Sequence, residues 1–225
     1  VIGVDEIRAL QKIAVEETRL GIPIIFGHDV IHGYKTMFPI PLAESSSWDL
    51  GLMEQSARIA ATEASADGLH WTFAPMVDIS RDARWGRVME GAGEDPYLGS
   101  LIAKARVNGF QGNNLSDQNT IVACAKHFVA GSEPVNGLNV SPMDISERSL
   151  REIYLKPFKR AVDAGVYSVM AAHNEINGIP AHMHKELLTD VMRNEFNFDG
   201  FYVSDWLDIN RINVLHKIAK DFKEA

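Results

Sequence analysis

Thr120-Ile121-Val122-Ala123-Cys124-Ala125-Lys126-His127-Phe128 is the stretch that decides the fold. Up to Ala125 it is small, apolar or β-branched with no polar alternation, the pattern of a strand buried on both faces. It then ends in two ionisable residues side by side. Similar runs lie at residues 22–26, 71–77, 167–172 and 200–203, bounded by Gly, Pro or polar residues. Helical spacing fills the intervals. Val4, Ile7, Leu10 and Ile13 form one apolar stripe, with Glu16, Glu17 and Arg19 on the polar side. Asp49 is placed to cap a helix reaching about Ala66, with Gly68 just beyond it. Asp144 and Glu147 stand in capping-box spacing ahead of Leu150, Ile153 and Tyr154, with Pro157 expected to kink the helix and Gly165 to end it. Residues 186–194 and 208–220 are two further helical stretches. Asn177-Gly178 follows a strand and precedes Pro180, so it reads as a wide turn rather than a hairpin. Strands alternating with helices, without paired hairpin strands, predict an α/β fold with a parallel sheet.

Bulk properties narrow the function. The 225 residues suffice for one well-buried domain, and no linker or charge run divides them. The net charge of −8, from 22 basic and 30 acidic residues without a Lys/Arg cluster, excludes a nucleic-acid partner. No apolar stretch approaches the roughly 18–20 residues of a membrane span. The lone Cys124 sits in the apolar run, forms no internal disulfide and reads as a small buried hydrophobe. The chain opens at Val1 directly into a helical pattern and stops inside another, so an excerpt of a longer protein is expected. No leader is visible, which in an excerpt does not speak against export.

The polar residues gather at the carboxyl ends of the predicted strands. Residues 22–26 lead into Gly27, His28 and Asp29. Residues 71–77 lead into Asp78, followed by Arg81, Asp82, Arg84 and Arg87. The quoted run ends in Lys126 and His127, the next in His173, Asn174 and Glu175, and the last in Ser204, Asp205 and Trp206. In a parallel barrel those ends meet at one mouth, so the pattern predicts one site. It offers carboxylates, fixed cations and aromatic rings, and lacks a Gly-rich phosphate loop, a Cys-x-x-Cys pair and a Gly-x-Ser-x-Gly elbow. Sugar hydroxyls both donate and accept, so mixed charged partners suit them, and an Asp beside such a site can attack an anomeric carbon.

Taken in order, Gly27-His28-Asp29-Val30-Ile31-His32-Gly33, Arg81-Asp82-Ala83-Arg84-Trp85-Gly86-Arg87, Gly93-Glu94-Asp95-Pro96, Ala125-Lys126-His127-Phe128, Asn174-Glu175-Ile176-Asn177-Gly178 and Asp199-Gly200-Phe201-Tyr202-Val203-Ser204-Asp205-Trp206 resemble glycoside hydrolase family 3. The resemblance runs along nearly the whole chain. It implies a (β/α)8 TIM-like barrel, incomplete at both ends over residues 1–225, that hydrolyses β-linked glucosyl or related sugars with retention. Asp205 matches the family's nucleophile. Asp29, Arg87, Lys126 and His127 match the residues that hold the sugar, and Trp206 offers a ring face beside the nucleophile. The family's general acid/base comes from a later domain, beyond residue 225, so this fragment is expected to be inactive alone. No cofactor or metal is implied. The partner is a β-linked oligosaccharide or glycoside, most often a glucoside, with a xyloside as the alternative. A periplasmic or secreted location follows from the resemblance alone. His173 stands where many members place Tyr and is carried over as a subsite residue. Phe128-Val129-Ala130-Gly131-Ser132 lacks the His-Gly-Asp-type loop of the N-acetylglucosaminidase branch, which is not expected here.

Plainer roles compete for several of these residues. Without the resemblance, Asp205 reads as a helix cap or loop residue. Lys126 and His127 have a structural alternative, neutralising Asp78 or Asp205. Among the arginines, Arg87 suits a sugar contact and Arg81 an ion pair. His28 and His32 are four apart, but Gly27 and Gly33 bracket them in a loop, so no metal site is expected. His182 and His184 read as exposed loop residues, and Trp48, Trp71 and Trp85 as core. Asn114-Leu115-Ser116 and Asn139-Val140-Ser141 match the glycosylation pattern, which arises often by chance. A non-catalytic sugar-binding barrel is the alternative from another functional class.

Overall fold

The computed structural model describes residues 3–225. Short parallel strands form along the chain. Strand β1 (Gly27–His28) pairs in parallel with β2 (Trp71–Thr72). Strand β3 (Cys124–Phe128) pairs in parallel with β4 (Ser168–Ala171), which also pairs with β7 (Phe201–Val203). Both β3 and β4 are buried throughout. Isolated parallel bridges, Trp71 to Val122 and Met76 to Lys126, join the two groups. The order β1-β2-β3-β4-β7 therefore carries all of the carboxyl ends predicted to bear the site. Among the described residues the strands form no closed barrel.

Helices cover the strands' outer side. After α1 (Val4–Lys12), a π-helical turn over Ile13–Glu17 and the short α2 (Pro41–Ser45), helix α3 (Leu50–Ala66) begins where Asp49 accepts the Leu52 N–H at 3.0 Å, and the chain turns at Gly68 with φ +86°. Helix α4 (Pro96–Gln111) is capped by Asp95, which accepts from the N–H groups of Tyr97 and Leu98. It lies between α3 and α6 (Leu155–Asp163). The apolar core contains Val107, Phe110, Ile121, Phe128, Tyr154 and Phe158. Cys124 is fully buried, and desolvation pushes its thiol pKa up to about 12.

Several local expectations are corrected. Residues 22–26 are not a buried strand: Ile22, Ile24 and Ile25 are exposed, and the Gln11 side-chain amide takes the Ile24 backbone groups, donating to its carbonyl at 2.7 Å and accepting its N–H at 2.8 Å. Ser146, not Asp144, caps the short α5 (Glu147–Ser149), accepting the Ser149 N–H at 3.2 Å. A π-helical segment, Leu150–Tyr154, leads from there into α6, whose first turn holds Pro157, where a missing N–H is tolerated. Asn177-Gly178 forms a two-residue hairpin between β5 (Glu175–Ile176) and β6 (Ile179–Pro180). Both turn residues have positive φ, 50° and 85°, as a type I′ turn requires. Glu186–Glu195 is π-helical, and α7 (Asp208–Val214) stops well before residue 220, with Lys217 in the left-handed region. Among the described residues no helix is long and apolar enough to cross a membrane.

The placement of β7 depends on Gly200. A Cβ there would lie 2.2 Å from the Tyr167 carbonyl oxygen and 2.6 Å from the Phe198 ring, and the Phe201 N–H bonds that same carbonyl at 3.0 Å. Gly200→Ala is therefore expected to push β7 away from β4 and to destabilise the domain by about 1–3 kcal/mol. A lower denaturant midpoint in the variant checks this, and an unchanged midpoint contradicts it.

Candidate active site

The carboxyl ends of the strands open onto a cavity of about 620 Å³. Asp29 follows β1, and Arg87 and Glu90 stand on the loop after Asp78. Lys126 and His127 lie at the end of β3, just before Phe128, and Asp205 and Trp206 follow β7. All of these except Asp78 line the cavity, and Trp71, Phe73 and Met170 give it an apolar wall. At β3 the register slips between Lys126 and Phe128, leaving His127 unpaired as a bulge. Successive strand residues ordinarily face opposite sides, and the bulge lets Lys126 and His127 serve the same cavity.

Charges inside the site are paired. The buried Lys126 ammonium lies 3.0 Å from Asp29, whose side chain is 56% exposed. Arg87 makes a two-pronged contact with Glu90, at 2.8 and 2.9 Å, with its guanidinium over the Trp85 ring. Burial alone would raise the Glu90 carboxyl pKa, yet the Arg87 contact carries it below the ordinary range. His127 donates its backbone N–H to Asp78 Oδ2 at 2.8 Å and places ring Nδ1 2.9 Å from the same oxygen. Burial outweighs Asp78 and lowers the His127 pKa, so the ring is neutral. The Nδ1 proton then belongs to the Asp78 bond, and Nε2 is left as an acceptor.

Asp205 is 15% exposed at its side chain. Its Oδ1 accepts the Trp206 N–H at 2.6 Å, and its buried Oδ2 lies 2.9 Å from His173 Nε2 and 3.5 Å from His127 Nε2. The His173 contact is close but off the line of a well-formed hydrogen bond, so charge rather than a directed bond holds Oδ2. Burial opposes ionisation of Asp205, but the His173 contact prevails and its pKa falls below the usual carboxylate range. The other ring nitrogen of His173 lies 2.8 Å from Asp208 Oδ1, which also accepts from Arg211 at 2.7 Å. Burial disfavours a charged His173, yet the two carboxylates raise its pKa to about 9. Arg211 Nη1 is also 2.7 Å from His173 Nδ1. Nδ1 accepts that proton only in a neutral ring, and with carboxylates at both nitrogens the protonated ring sharing Asp208 Oδ1 with Arg211 prevails. Single donor atoms of His173, Asp205 and Asp208 fall within 4.8 Å of one another, a spacing that suits a metal ion, but here they bond one another and Arg211 neutralises the set.

Asp29, Arg87, Lys126, His127, Asp205 and Trp206 are thus brought to one cavity, whereas His173 stands behind Asp205 rather than on the cavity wall. Sequence reasoning missed Glu90 as the partner of Arg87 and Asp208 as the partner of His173. A Glu three residues after an Arg was the available signal for the first. Arg81 takes the ion-pair role, bonding Tyr154 and Glu133. His184 is buried and the His182 side chain is 7% exposed, correcting the expectation of exposed loop residues. His182 Nε2 accepts the Asp205 N–H at 3.4 Å. Trp85 is core, but Trp48 is exposed and Trp71 lines the cavity. His28 packs edge-on to Tyr34 while His32 contacts the Phe38 carbonyl, so the two do not form a site together.

Comparison with known proteins shows what the chain is similar to. The chain is 41% identical over 220 residues to a periplasmic β-glucosidase of Salmonella typhimurium, covering 98% of this chain and 29% of that protein. It is also 41% identical over 234 residues to a β-xylosidase of Formosa agariphila, covering 98% of this chain and 32% of the relative. A crystal structure of a mutant β-glucosidase from Listeria innocua in complex with laminaribiose superposes with a TM-score of 0.96 at 43% identity, over 99% of this chain and 31% of that one. The chain thus spans about a third of the length of these relatives or less. The profile of the glycosyl hydrolase family 3 N terminal domain matches residues 2–225. With the family profile spanning nearly the whole chain and relatives at 41% identity along it, the chain belongs to glycosyl hydrolase family 3.

Proposed function

We propose that residues 1–225 form the nucleophile-bearing part of a (β/α)8 barrel in a retaining exo-β-glycosidase. Its preferred substrate is a β-glucoside, cleaved through a covalent glycosyl-enzyme on Asp205. The observation that carries this reading is an ionised carboxylate at the edge of a cavity whose remaining charges are fixed by partners. A nucleophile must be ionised and must not be consumed by a neighbouring cation. This reading is supported by the contacts of Asp205: His173 holds Oδ2 by charge, and Oδ1, which among the described residues accepts only the Trp206 N–H, keeps a lone pair for attack on C1.

The other residues bind the sugar. Lys126 and Arg87 donate to hydroxyls, Asp29 accepts from them, and the neutral His127 accepts through Nε2. Trp206, 76% exposed, gives the ring an apolar face. As positive charge develops at the anomeric centre, the ionised Asp205 stabilises it, and fixed hydroxyl contacts that tighten at that moment lower the barrier. The leaving oxygen needs a proton. Glu90 is held ionised by Arg87, and Asp29 is paired with Lys126. We therefore assign the general acid/base to a part of the protein outside this chain.

Periplasmic or secreted action is proposed from the periplasmic relative. A β-xylosidase is the second reading, favoured by the Formosa agariphila relative at the same identity. A kinetic screen of the full-length protein against aryl β-glucoside, β-xyloside and β-N-acetylglucosaminide decides between them. Turnover of the glucoside is expected, lowered by at least about a thousandfold in Asp205→Asn. Sugar binding without turnover of any of the three would make this a binding barrel. Lys126→Met is expected to lower kcat/KM on the order of a hundredfold, and a near wild-type value would remove Lys126 from the sugar-binding set.

A further inference from the structure

His173 does not line the cavity itself but stands behind Asp205, between two carboxylates and beside Arg211. Its Nε2 is 2.9 Å from Asp205 Oδ2 and its Nδ1 is 2.8 Å from Asp208 Oδ1. A neutral imidazole carries one N–H and one lone pair, so at one of these contacts a lone pair would oppose a carboxylate oxygen. Only the imidazolium places a proton toward both. Asp208 is fixed for this purpose. Its side chain is 2% exposed, it opens α7, and its N–H bonds the Asp205 carbonyl at 3.2 Å. The two carboxylates are thus tied through the backbone as well as through the ring.

The groups facing the ring favour its charged form. Asp205 and Asp208 supply two negative charges, whereas Arg211 on α7 supplies one positive charge, 2.7 Å from both Asp208 Oδ1 and His173 Nδ1, that opposes the imidazolium in part. From β3, the His127 ring stacks on His173 with centroids 6.4 Å apart, and that ring is neutral and bonded to Asp78. From the turn after the hairpin, His182 faces Asp208 at 3.6 Å, and burial lowers its pKa so that it adds no charge at neutral pH. Farther out, His216 pairs with Glu175 at 3.5 Å. The nearby balance is two anions against Arg211, which leaves room for one more cation.

We propose that Asp208 is a positioning residue that keeps His173 an imidazolium against Asp205, and that this charge serves the second half of the reaction. The inference rests on Asp205 being the nucleophile. In the first half, Asp205 forms a bond to C1, the bond from C1 to the leaving oxygen breaks, and that oxygen takes a proton from the acid outside this chain. Asp205 thereby loses its charge, and His173 keeps both protons. In the second half, water attacks C1 and gives its proton to the same outside group, now a base. The bond from C1 to Asp205 breaks and its electron pair returns to the carboxylate. A fixed positive charge at 2.9 Å stabilises that returning anion and makes Asp205 a better leaving group. The same charge restrains the attack of Asp205, so its removal slows the second step and spares the first.

The test uses the full-length protein with a dinitrophenyl β-glucoside, whose leaving group needs little protonation, and the variants Asp208→Asn and His173→Gln. Steady-state rates across pH are combined with the pre-steady-state burst. The expected result is a kcat at least about tenfold lower, with kcat/KM changed by no more than about threefold. The burst of dinitrophenol is expected to grow as glycosyl-enzyme accumulates. His173 keeps its proton below its raised pKa, so wild-type kcat is expected to fall as pH rises through the alkaline range. Asp208→Asn is expected to move that limb to lower pH. Equal losses in kcat and kcat/KM, with no larger burst and an unmoved limb, would overturn the proposal. If Asp208→Asn does not fold, His173→Gln decides the kcat against kcat/KM split alone. A wild-type protein whose turnover does not depend on Asp205 would instead refute the reading on which the proposal rests.

Discussion

A carboxylate at the end of a strand that is apolar on both faces has little water to solvate it, so it must meet a cation or a directed N–H. That requirement organises the site. Asp29 meets Lys126, Glu90 meets Arg87, Asp78 takes two N–H groups of His127, and Asp205 and Asp208 share His173. The pairs bind strand ends that the ladder alone joins loosely. Lys126 ties β3 to the loop after β1, His127 ties β3 to Asp78, and His173 ties the end of β4 to the residues after β7. Removing a member whose partner is buried, as Asp29 beside Lys126, would leave a buried charge without a partner, so positioning and stability are coupled here.

The same pairs divide the labour of the proposed chemistry. Cations at Lys126 and Arg87 bring donors to hydroxyls while their own partners prevent them from collapsing onto Asp205. Asp205 is held by an off-line contact and a backbone N–H, which keeps it ionised without tying up both oxygens in strong bonds. Glu90 and Asp29 are committed to cations and do not serve as acids. In the proposed chemistry such a site accepts a sugar and offers a nucleophile, and the proton donor comes from elsewhere in the protein.

The parallel α/β arrangement and the strand ends were legible because each apolar run stops at a polar residue, as at Ala125-Lys126 and Val203-Ser204. The Asp49 cap and the turn at Gly68 were legible for the same local reason. What escaped sequence reasoning depends on contacts between distant segments. The Gln11 amide that brackets Ile24 lies thirteen residues away from it, and His173 meets Asp208 across thirty-five. Asn177-Gly178 carried its hairpin signal openly, but Pro180 argued against a strand, and the structure accommodates it in a two-stranded ribbon whose short strands demand little of the ladder. His182 and His184 look like loop residues by their neighbours, and only the fold shows them covered, His182 by the packing around Asp205 and Asp208.

The central claim is that Asp205 forms the covalent bond to the sugar. Incubating the full-length protein with a 2-deoxy-2-fluoro-β-glucoside bearing a good leaving group slows both steps and traps the intermediate. Mass analysis of the digested protein is predicted to place one fluoroglucosyl group on the peptide containing Asp205. A label on another carboxylate, such as Asp29 or Glu90, or no label on a protein that still turns over the ordinary glucoside, would contradict the account.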